Sequence, residues 1–349
     1  MRIPISVLNY NGSKDTIELI KTLVKSGECF DCIIVDNNSP KVDDLDKIAA
    51  FIENEYKTEM LPEGFVSDAI SSCVACPVGD NRFTLIRAKE NYGFAKGTNI
   101  GIKYGFYKYP DTEYMVILNN DTIVNEGFIS KVIAQIKKHD LAAGMGTILY
   151  YGYDKPYIWS IGGTISFVSA MGVHLHKGEV YSECNEEVVK RQFISGCFTV
   201  FKADVLKEIG LIDEDYFFGG EEYQYSVDIS KKYSLGWIPS SLIYHKSKIE
   251  EGNGSSHRIE DLCWQYNSYM NKIIFTNKNK GCIYRFFWHI MFYGYINTRI
   301  RKKYLRTKEY GRQGFKKLET WLFRNINSKR FARADIEAFS QDKTIYYKD

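Results

Sequence analysis

The chain has 349 residues, of which 44% are hydrophobic and 26% charged, as in an ordinary globular protein with a large core. Its net charge of +3 hides a basic segment, because residues 280–333 hold 15 Lys or Arg and two acids. No stretch approaches the roughly 20 apolar residues that cross a bilayer, and MRIPISVLNYNG does not resemble a signal peptide. We therefore expect a cytoplasmic protein whose basic segment meets an anionic surface.

The first 150 residues alternate short β-rich runs with helical periods. Each predicted strand is followed by a helix: 3–8 and 16–24, 33–35 and 45–51, 84–87 and 95–107, 115–118 and 128–136. This order predicts βαβ units, a mainly parallel central sheet flanked by helices and hence an α/β fold. Residues 55–82 interrupt the order and are predicted to be an insertion on one rim.

The later sequence changes character. Gly-rich and aromatic strands are predicted over 159–168 and 192–201, with a helix near 221–232. This half is expected to complete the sheet and cover the strand ends. After His245, a polar loop leads to a helix from about residue 259 to 275, and the basic aromatic tail follows.

The eight cysteines are irregularly spaced and are expected to be reduced. Two pairs, Cys29-x-x-Cys32 and Cys73-x-x-Cys76, have the internal spacing of zinc ligands. However, Cys32 opens a predicted strand and the second pair lies in a long connection. Unpaired buried thiols are the favoured interpretation, and a structural zinc is the alternative.

Polar residues follow the ends of the first two predicted strands, as NYNG after the first and DNNS after the second. Asp36 could accept a hydrogen bond from an imide or a ribose hydroxyl, and Tyr10 could stack on a base. Simple turn chemistry is the alternative at both places.

The most informative segment is YMVILNNDT, in which an apolar run ends in Asn119, Asn120 and Asp121. Ligands of open α/β sheets bind beyond the carboxyl ends of the strands, so Asn119 and Asp121 are candidates to hold a metal ion or a phosphorylated ligand. The alternative is a turn that caps a helix starting near Glu126.

The segment NYGFAKGTNIG carries glycines at i, i+4 and i+8 of a predicted helix. A stripe without side chains permits close approach of a ligand or of another backbone, and tight helix packing is the alternative. The spacing is neither the G-x-G-x-x-G fingerprint nor a Walker A loop.

Two further groups could carry chemistry. Glu221 and Glu222 follow a Gly pair at the start of a predicted helix, where a carboxylate on a mobile loop could be a general base. Acids at this position also favour the helix dipole. His245 follows the strand-like WIPSSLIY and is either a metal ligand or an interior partner.

In this order, the segments resemble the family 2 glycosyltransferases of GT-A fold, especially the bacterial rhamnosyltransferase-like branch, over about residues 3–248. The motifs that carry the resemblance are VLNYNG, IIVDNNS, NYGFAKGTNIG, ILNNDT, WSIGG, FISGCFTVFKADVLKEIGLID, FFGGEE and IYH. It implies a GT-A domain over 1–250, with a nucleotide-binding half (1–125) and an acceptor and catalytic half (126–250). Residues 251–349 would be a basic helical extension.

The resemblance also implies roles for residues. Asp121 would hold Mn²⁺ or Mg²⁺ on a diphosphate with His245 as second ligand, a donor set that suits either ion. Glu222 would be the catalytic base, preceded by Glu221. The implied nucleotide-sugar site comprises Asn9, Tyr10, Asp36, Asn38, Asn91, Gly97, Asn99, Asn119 and Asn120.

The implied reaction is an inverting, metal-dependent transfer of a sugar from a UDP- or dTDP-linked donor to a saccharide or lipid-linked acceptor, in surface polysaccharide synthesis. A sugar nucleotidyltransferase would need a Gly-rich, Arg-containing loop after the first strand, and LNYNGSK lacks one. A non-catalytic sugar-binding or scaffold protein derived from a transferase remains the alternative.

The tail combines aromatic and basic residues and is predicted to rest on anionic lipid headgroups. The residues concerned are Phe286, Phe287, Trp288, Phe292 and Tyr293, with Arg285, Arg299, Arg301, Lys302 and Lys303. A basic helical cap with inward-packed aromatics is the alternative. Nucleic acid is not an expected partner, because no recognised binding module accompanies the charges.

Overall fold

The structure is a computed structural model that describes residues 2–249, 262–304 and 311–342. The chain divides into two compact units. The first unit contains the described residues up to Ile165, Gly172–Asp213 and Glu221–Ile249. The second contains Ser166–Met171, Glu214–Gly220 and the described residues from 262 onward. Two short internal segments thus group with the C-terminal residues, and the domain boundary at residue 250 stays a prediction.

The first unit is built on one twelve-stranded mixed sheet. The strands of the chain are β1 (Ile3–Asn9), β2 (Phe30–Asp36), β3 (Leu61–Pro62), β4 (Ile70–Val78), β5 (Asn81–Ala88), β6 (Tyr114–Asn119), β7 (Thr122–Val124), β8 (Ala143–Tyr150), β9 (Ile158–Ser160), β10 (Gly163–Ser166), β11 (Met171–His174), β12 (Val189–Arg191), β13 (Phe198–Lys202) and β14 (Leu235–His245). The sheet order is β12-β14-β8-β13-β6-β1-β2-β5-β4-β3, with β7 beside β14 and β9 beside β8; β10 and β11 pair separately.

Helices flank the sheet and make up most of the described second unit. Those of the first unit are α1 (Ser13–Val24), α2 (Asp44–Tyr56), α3 (Gly93–Lys108), α4 (Phe128–His139), α5 (Ala203–Ile209) and α6 (Glu221–Ser230). Those of the second are α7 (Leu262–Asn279), α8 (Cys282–Tyr295), a π-helical turn (Ile296–Ile300), α9 (Arg301–Tyr304), α10 (Gly311–Arg324) and α11 (Arg333–Gln341). None of the described helices is both long and apolar enough to cross a membrane.

Strands β6, β1, β2 and β5 form the parallel centre of the sheet. Their apolar residues are buried on both faces, as expected of parallel strands between helices. In the register, Asn9 lies opposite Asp36 and Leu8 lies opposite Asn119, so the carboxyl ends of three strands meet at one edge. The predicted α/β fold is confirmed, and antiparallel strands extend the sheet at both sides.

The predicted rim insertion, residues 55–82, extends this sheet. Within it, β4 pairs antiparallel with β5 and with the short β3. Cys73 and Cys76 lie on opposite faces of β4 and pack into different hydrophobic clusters. All eight cysteines are free thiols, and no group of three or more His, Cys, Asp or Glu gathers as a metal site within the described residues.

Helix α3 lies unusually close to β1. A Cβ built on Gly97 would come within 2.5 Å of Cδ1 of Leu8, and one on Gly101 would collide with the side chain of Ser6. Ser6 Oγ donates to the carbonyl of Thr98 at 2.9 Å. The glycine stripe therefore permits tight packing of helix on strand, and close approach of a ligand at this stripe stays a prediction.

In the second unit, α7 anchors the segment that precedes α6. Asn267 and Asn271 each donate from Nδ2 to the carbonyl of Phe218, at 2.7 and 2.9 Å. Gly219 and Gly220 follow with φ of 79° and 97°, values that residues other than glycine rarely adopt. The loop predicted to be mobile is thus fixed by two hydrogen bonds.

Candidate active site

Asn9, at the end of β1, is the centre of a buried network below the strand ends. Its Nδ2 donates to Oδ1 of Asp36 at 3.0 Å and to Oδ2 of Asp44 at 2.8 Å. Its Oδ1 accepts from Oγ1 of Thr16 at 2.9 Å. Asn120 also donates to Thr16 Oγ1, at 3.0 Å. Asn9 is fully buried, and it and Asn120 join β1, β2 and α1. Their contact with a nucleotide-sugar stays a prediction.

The loops after β1 and β2 present exposed side chains at this edge. The backbone N–H of Asn11 donates to Oγ of Ser39 at 2.8 Å and so joins the two loops. Tyr10 is 46% exposed and Asn38 is exposed, whereas Asp36 is fully buried. Asp36 already accepts from the hydroxyl and backbone N–H of Ser39. A base at this edge would meet Tyr10 and Asn38 first, and a direct contact with Asp36 stays a prediction.

The amides of the α3 region also hold the fold. Nδ2 of Asn37 donates to Oδ1 of Asn91 at 2.9 Å, which ties the β2 loop to the start of α3. Asn99 is buried and clasps the backbone of Ile212: its Nδ2 donates to the carbonyl at 2.8 Å and its Oδ1 accepts from the N–H at 3.1 Å. Gly97 faces β1. Asn99 and Gly97 thus have packing roles, and their contact with the donor stays a prediction.

Pairing of β7 with β14 brings Asp121 to His245. His245 lies opposite Thr122 in the antiparallel ladder, and the backbone N–H of Lys246 donates to the carbonyl of Asp121 at 2.9 Å. As a result, Nε2 of His245 lies 3.1 Å from Oδ1 of Asp121. The indole of Trp159 packs over the imidazole, with 4.4 Å between ring centroids. The two residues predicted to hold a metal are therefore brought together.

The chemistry of this pair suits a divalent cation. Burial raises the pKa of Asp121, but the contact with His245 outweighs it, so the pKa is lowered overall and the carboxylate is ionised at neutral pH. Among the described residues, Nδ1 of His245 has no hydrogen-bond partner. A carboxylate oxygen beside an imidazole fits Mn²⁺ or Mg²⁺, and the other coordination positions would be left to the ligand and water.

Asn119 lies at the end of β6, two residues before Asp121. Its backbone N–H donates to the carbonyl of Cys197 at 2.9 Å, and its carbonyl accepts from Oγ1 of Thr122 at 2.8 Å. The side chain is partly exposed. These bonds fix the end of β6 against the loop that precedes β13.

That loop also holds Glu222. The backbone N–H of Gly196 donates to Oε2 of Glu222 at 2.9 Å, and Oγ of Ser195 donates to the same oxygen at 3.2 Å. Burial raises the pKa of Glu222 and outweighs the lowering effect of these bonds. The prediction of a strand over residues 192–201 is wrong in its first part, because β13 begins only at Phe198.

Cys197 connects the two acidic positions. The pKa of its thiol is raised chiefly by burial and further by the negative charges of Asp121 and Glu222. The backbone carries the connection: Asn119 donates its N–H to the carbonyl of Cys197, and the neighbouring Gly196 donates its N–H to Glu222. Glu221, the first residue of α6, is 6% exposed.

Sequence reasoning missed two residues around this site. Burial lowers the pKa of His174 to about 4, so its imidazole is neutral at pH 7, and its Nδ1 lies 3.1 Å from Oγ of Ser160. Nζ of Lys177 lies 5.5 Å from the ring centroid of Trp159. Its positive charge opposes the rise that burial causes in the pKa of Glu222. The motif WSIGG carried a signal for Trp159, whereas no motif contained His174 or Lys177.

Comparison with known proteins identifies relatives of this chain. The chain matches the family model Glycosyl transferase family 2 over residues 5–210. It is 23% identical over 229 residues to Glycosyltransferase GlyG of Streptococcus pneumoniae serotype 4, covering 64% of this chain and 70% of that protein.

Two solved structures are similar at low identity. The crystal structure of GalNAc-T7 with UDP, GalNAc and Mn²⁺ matches with a TM-score of 0.59 at 14% identity, over 99% of this chain. This chain spans 56% of the length of that one. S. aureus TarS 1-349 in complex with UDP-GlcNAc matches with a TM-score of 0.47 at 13% identity, over 97% of this chain and 84% of that one.

The structural likeness to GalNAc-T7 concerns the fold alone. The family model, by contrast, covers more than half of the chain and confirms the predicted enzyme class. The rhamnosyltransferase-like branch stays a prediction. The chain belongs to glycosyl transferase family 2 and is a glycosyltransferase.

Proposed function

We propose that this glycosyltransferase moves a sugar from a UDP- or dTDP-linked donor to a saccharide acceptor, with inversion at the anomeric carbon. The observation that carries the proposal is that Asp121 contacts His245, and that the loop of Gly196 and Cys197, which binds Glu222, is also bonded to the end of β6 two residues before Asp121. In open α/β sheets the carboxyl ends of the strands are where ligands bind.

At the donor end, Asp121 and His245 would hold Mn²⁺ or Mg²⁺. When bound, the ion would supply positive charge to the departing diphosphate. Tyr10 and Asn38, both exposed, would meet the base, and Asn119 at the end of β6 would approach the ribose. Asn9 would act indirectly, because its buried network sets the positions of the strand ends.

At the acceptor end, Glu222 would remove the proton of the attacking hydroxyl. The acceptor oxygen would bond to the anomeric carbon from the face opposite the leaving group, and the bond to the diphosphate would break with its electron pair leaving on the nucleotide. Ser195 and Gly196 fix one carboxylate oxygen and so set the direction of Glu222. A raised pKa makes the carboxylate a stronger base than an ordinary glutamate.

We propose that this reaction takes place in the cytoplasm and belongs to surface polysaccharide synthesis. We also propose that its acceptor is lipid-linked. Support for a membrane-borne acceptor comes from the charge of residues 280–333, which include 15 basic residues and two acids. A segment of this charge is attracted to anionic lipid headgroups.

The test is calorimetric titration with UDP, dTDP and GDP, each with and without Mn²⁺. We expect metal-dependent binding of one nucleotide to the wild type and its loss in Asp121→Ala. The control is Glu208→Ala, which removes a surface carboxylate paired with Lys232. If no nucleotide binds the wild type, the proposal fails and the non-catalytic sugar-binding alternative is favoured.

A further inference from the structure

Helix α8 of the second unit is apolar on both its faces, and the structure shows which face is covered. Trp288 and Phe292 are each 3% exposed and stack with 4.8 Å between their centroids. The indole N–H of Trp288 donates to the carbonyl of Val168, in the same unit, at 2.8 Å. The prediction that Trp288 and Phe292 face lipid is therefore wrong, because they form the inner face of α8.

The outer face of α8 is an exposed apolar stripe. It consists of Ile283, Phe286, Phe287, Ile290 and Met291, which are between 46% and 74% exposed. These positions follow the spacing i, i+3, i+4, i+7 and i+8, so their side chains share one side of the helix. A contiguous apolar surface of this kind is uncommon on monomeric proteins and marks a site of contact with a protein or a membrane.

The charge around the stripe indicates which partner covers it. Helix α8 continues through the π-helical turn into α9. Exposed cations lie in the turn (Arg299) and in α9 (Arg301 and Lys302). No acidic residue lies between Lys280 and Lys308 in the sequence. Apolar aromatic residues followed by a run of cations without an acid among them match a bilayer surface, which offers acyl chains below anionic headgroups.

We propose that α8 lies in the surface plane of an anionic membrane, with its outer stripe inserted among the acyl chains. Phe286, Phe287 and Ile290 supply the apolar contact, and the exposed cations after α8 meet the headgroup phosphates. The proposal deepens the proposed function, because it would bring the enzyme to a lipid-linked acceptor. The docking itself does not depend on transferase activity.

The experiment measures binding of the full-length protein to vesicles of phosphatidylcholine, alone or mixed with phosphatidylglycerol. We expect binding to the mixed vesicles that weakens with salt. Phe286→Ser combined with Phe287→Ser should reduce the partition coefficient at least about tenfold, because two inserted rings are lost. The matched control is Val42→Ser with Val66→Ser, which removes two exposed apolar side chains of the first unit and should bind as the wild type does.

A second variant tests the charges. Arg301→Glu with Lys302→Glu should reduce binding to the mixed vesicles about tenfold or more and make it less sensitive to salt. Binding that does not depend on phosphatidylglycerol would overturn the electrostatic part. Equal binding of the serine variant and the wild type would overturn the role of the stripe.

Light scattering identifies the competing partner. If the wild type is a dimer that the serine substitutions dissociate, and it does not bind vesicles, a second copy of the chain covers the stripe and the membrane proposal is wrong. Calorimetry with nucleotide and Mn²⁺ on the same serine variant should match the wild type. Failure of docking is thereby distinguished from failure of the proposed transferase function.

Discussion

The sharpest prediction concerns Glu222→Gln. The substitution keeps the length of the side chain and one oxygen that can accept from the N–H of Gly196 and the hydroxyl of Ser195. It removes the ability to take a proton, because an amide has neither an ionised form nor a second carboxylate oxygen. General-base catalysis contributes about 10² to 10⁴ in rate, so kcat should fall by that factor. The loss corresponds to about 3–5 kcal/mol in the activation barrier.

The same variant should be more stable than the wild type at neutral pH. Burial raises the pKa of Glu222, so the folded state favours its protonated form. The stability that this preference provides is present below the ordinary pKa of glutamate and is lost as the pH rises through the raised value. An amide does not ionise, so the variant avoids this loss. Its advantage in Tm should therefore shrink as the pH falls toward the ordinary pKa.

Three measurements on one preparation test this reasoning. Turnover is followed by release of nucleoside diphosphate, donor binding by calorimetry and Tm by calorimetric scanning. Asp228→Asn, an equivalent change on the same helix, is the control and should leave all three close to wild type. Turnover within tenfold of the wild type in Glu222→Gln would refute the base assignment. A lower Tm at neutral pH would refute the account of its burial.

Further predictions concern pH, packing and the α7 anchor. Because the pKa of Glu222 is raised, the logarithm of kcat should increase with pH up to that value, and the residual activity of Glu222→Gln should lack this rise. Gly97→Ala places a Cβ within 2.5 Å of a side chain of β1 and should lower the free energy of unfolding by about 1–3 kcal/mol in urea titrations. Unchanged nucleotide affinity of the folded variant would separate packing from ligand contact. Asn267→Ala with Asn271→Ala removes both donors to the loop carbonyl and should speed amide exchange of the loop before α6, whereas either single substitution should have a smaller effect.

Much of the fold follows from local sequence patterns, since apolar runs alternating with helical periods define the parallel centre of the sheet. The position of Asp121 also follows, because a carboxylate directly after a buried strand lies at the strand end. Its proximity to His245 does not. That contact depends on the pairing of β7 with β14, two segments separated by about 120 residues, and no local pattern records such a pairing.

Amides and glycines near strand ends limit prediction for another reason. Asn9, Asn99 and Gly97 are residue types that can contact a ligand or hold the backbone, and both roles require the same chemistry at the same place in the sequence. Only the three-dimensional partners distinguish them: Asn9 meets Asp36, and Asn99 meets the backbone of Ile212. These partners show which side chains hold the backbone, and the contact of these residues with a ligand stays a prediction.

Helix α8 shows the same limit at the surface. Its sequence allows two interpretations, a segment that rests on lipid headgroups and a helical cap whose aromatic residues pack inward. The structure buries only one side, with Trp288 and Phe292, and leaves Phe286 and Phe287 exposed. The nearby cations favour a membrane over a protein as the partner of this side. A protein that covered the stripe would need acids opposite Lys and Arg. Membrane binding that requires both the aromatic stripe and the cations would therefore account for the exposure of this side of α8.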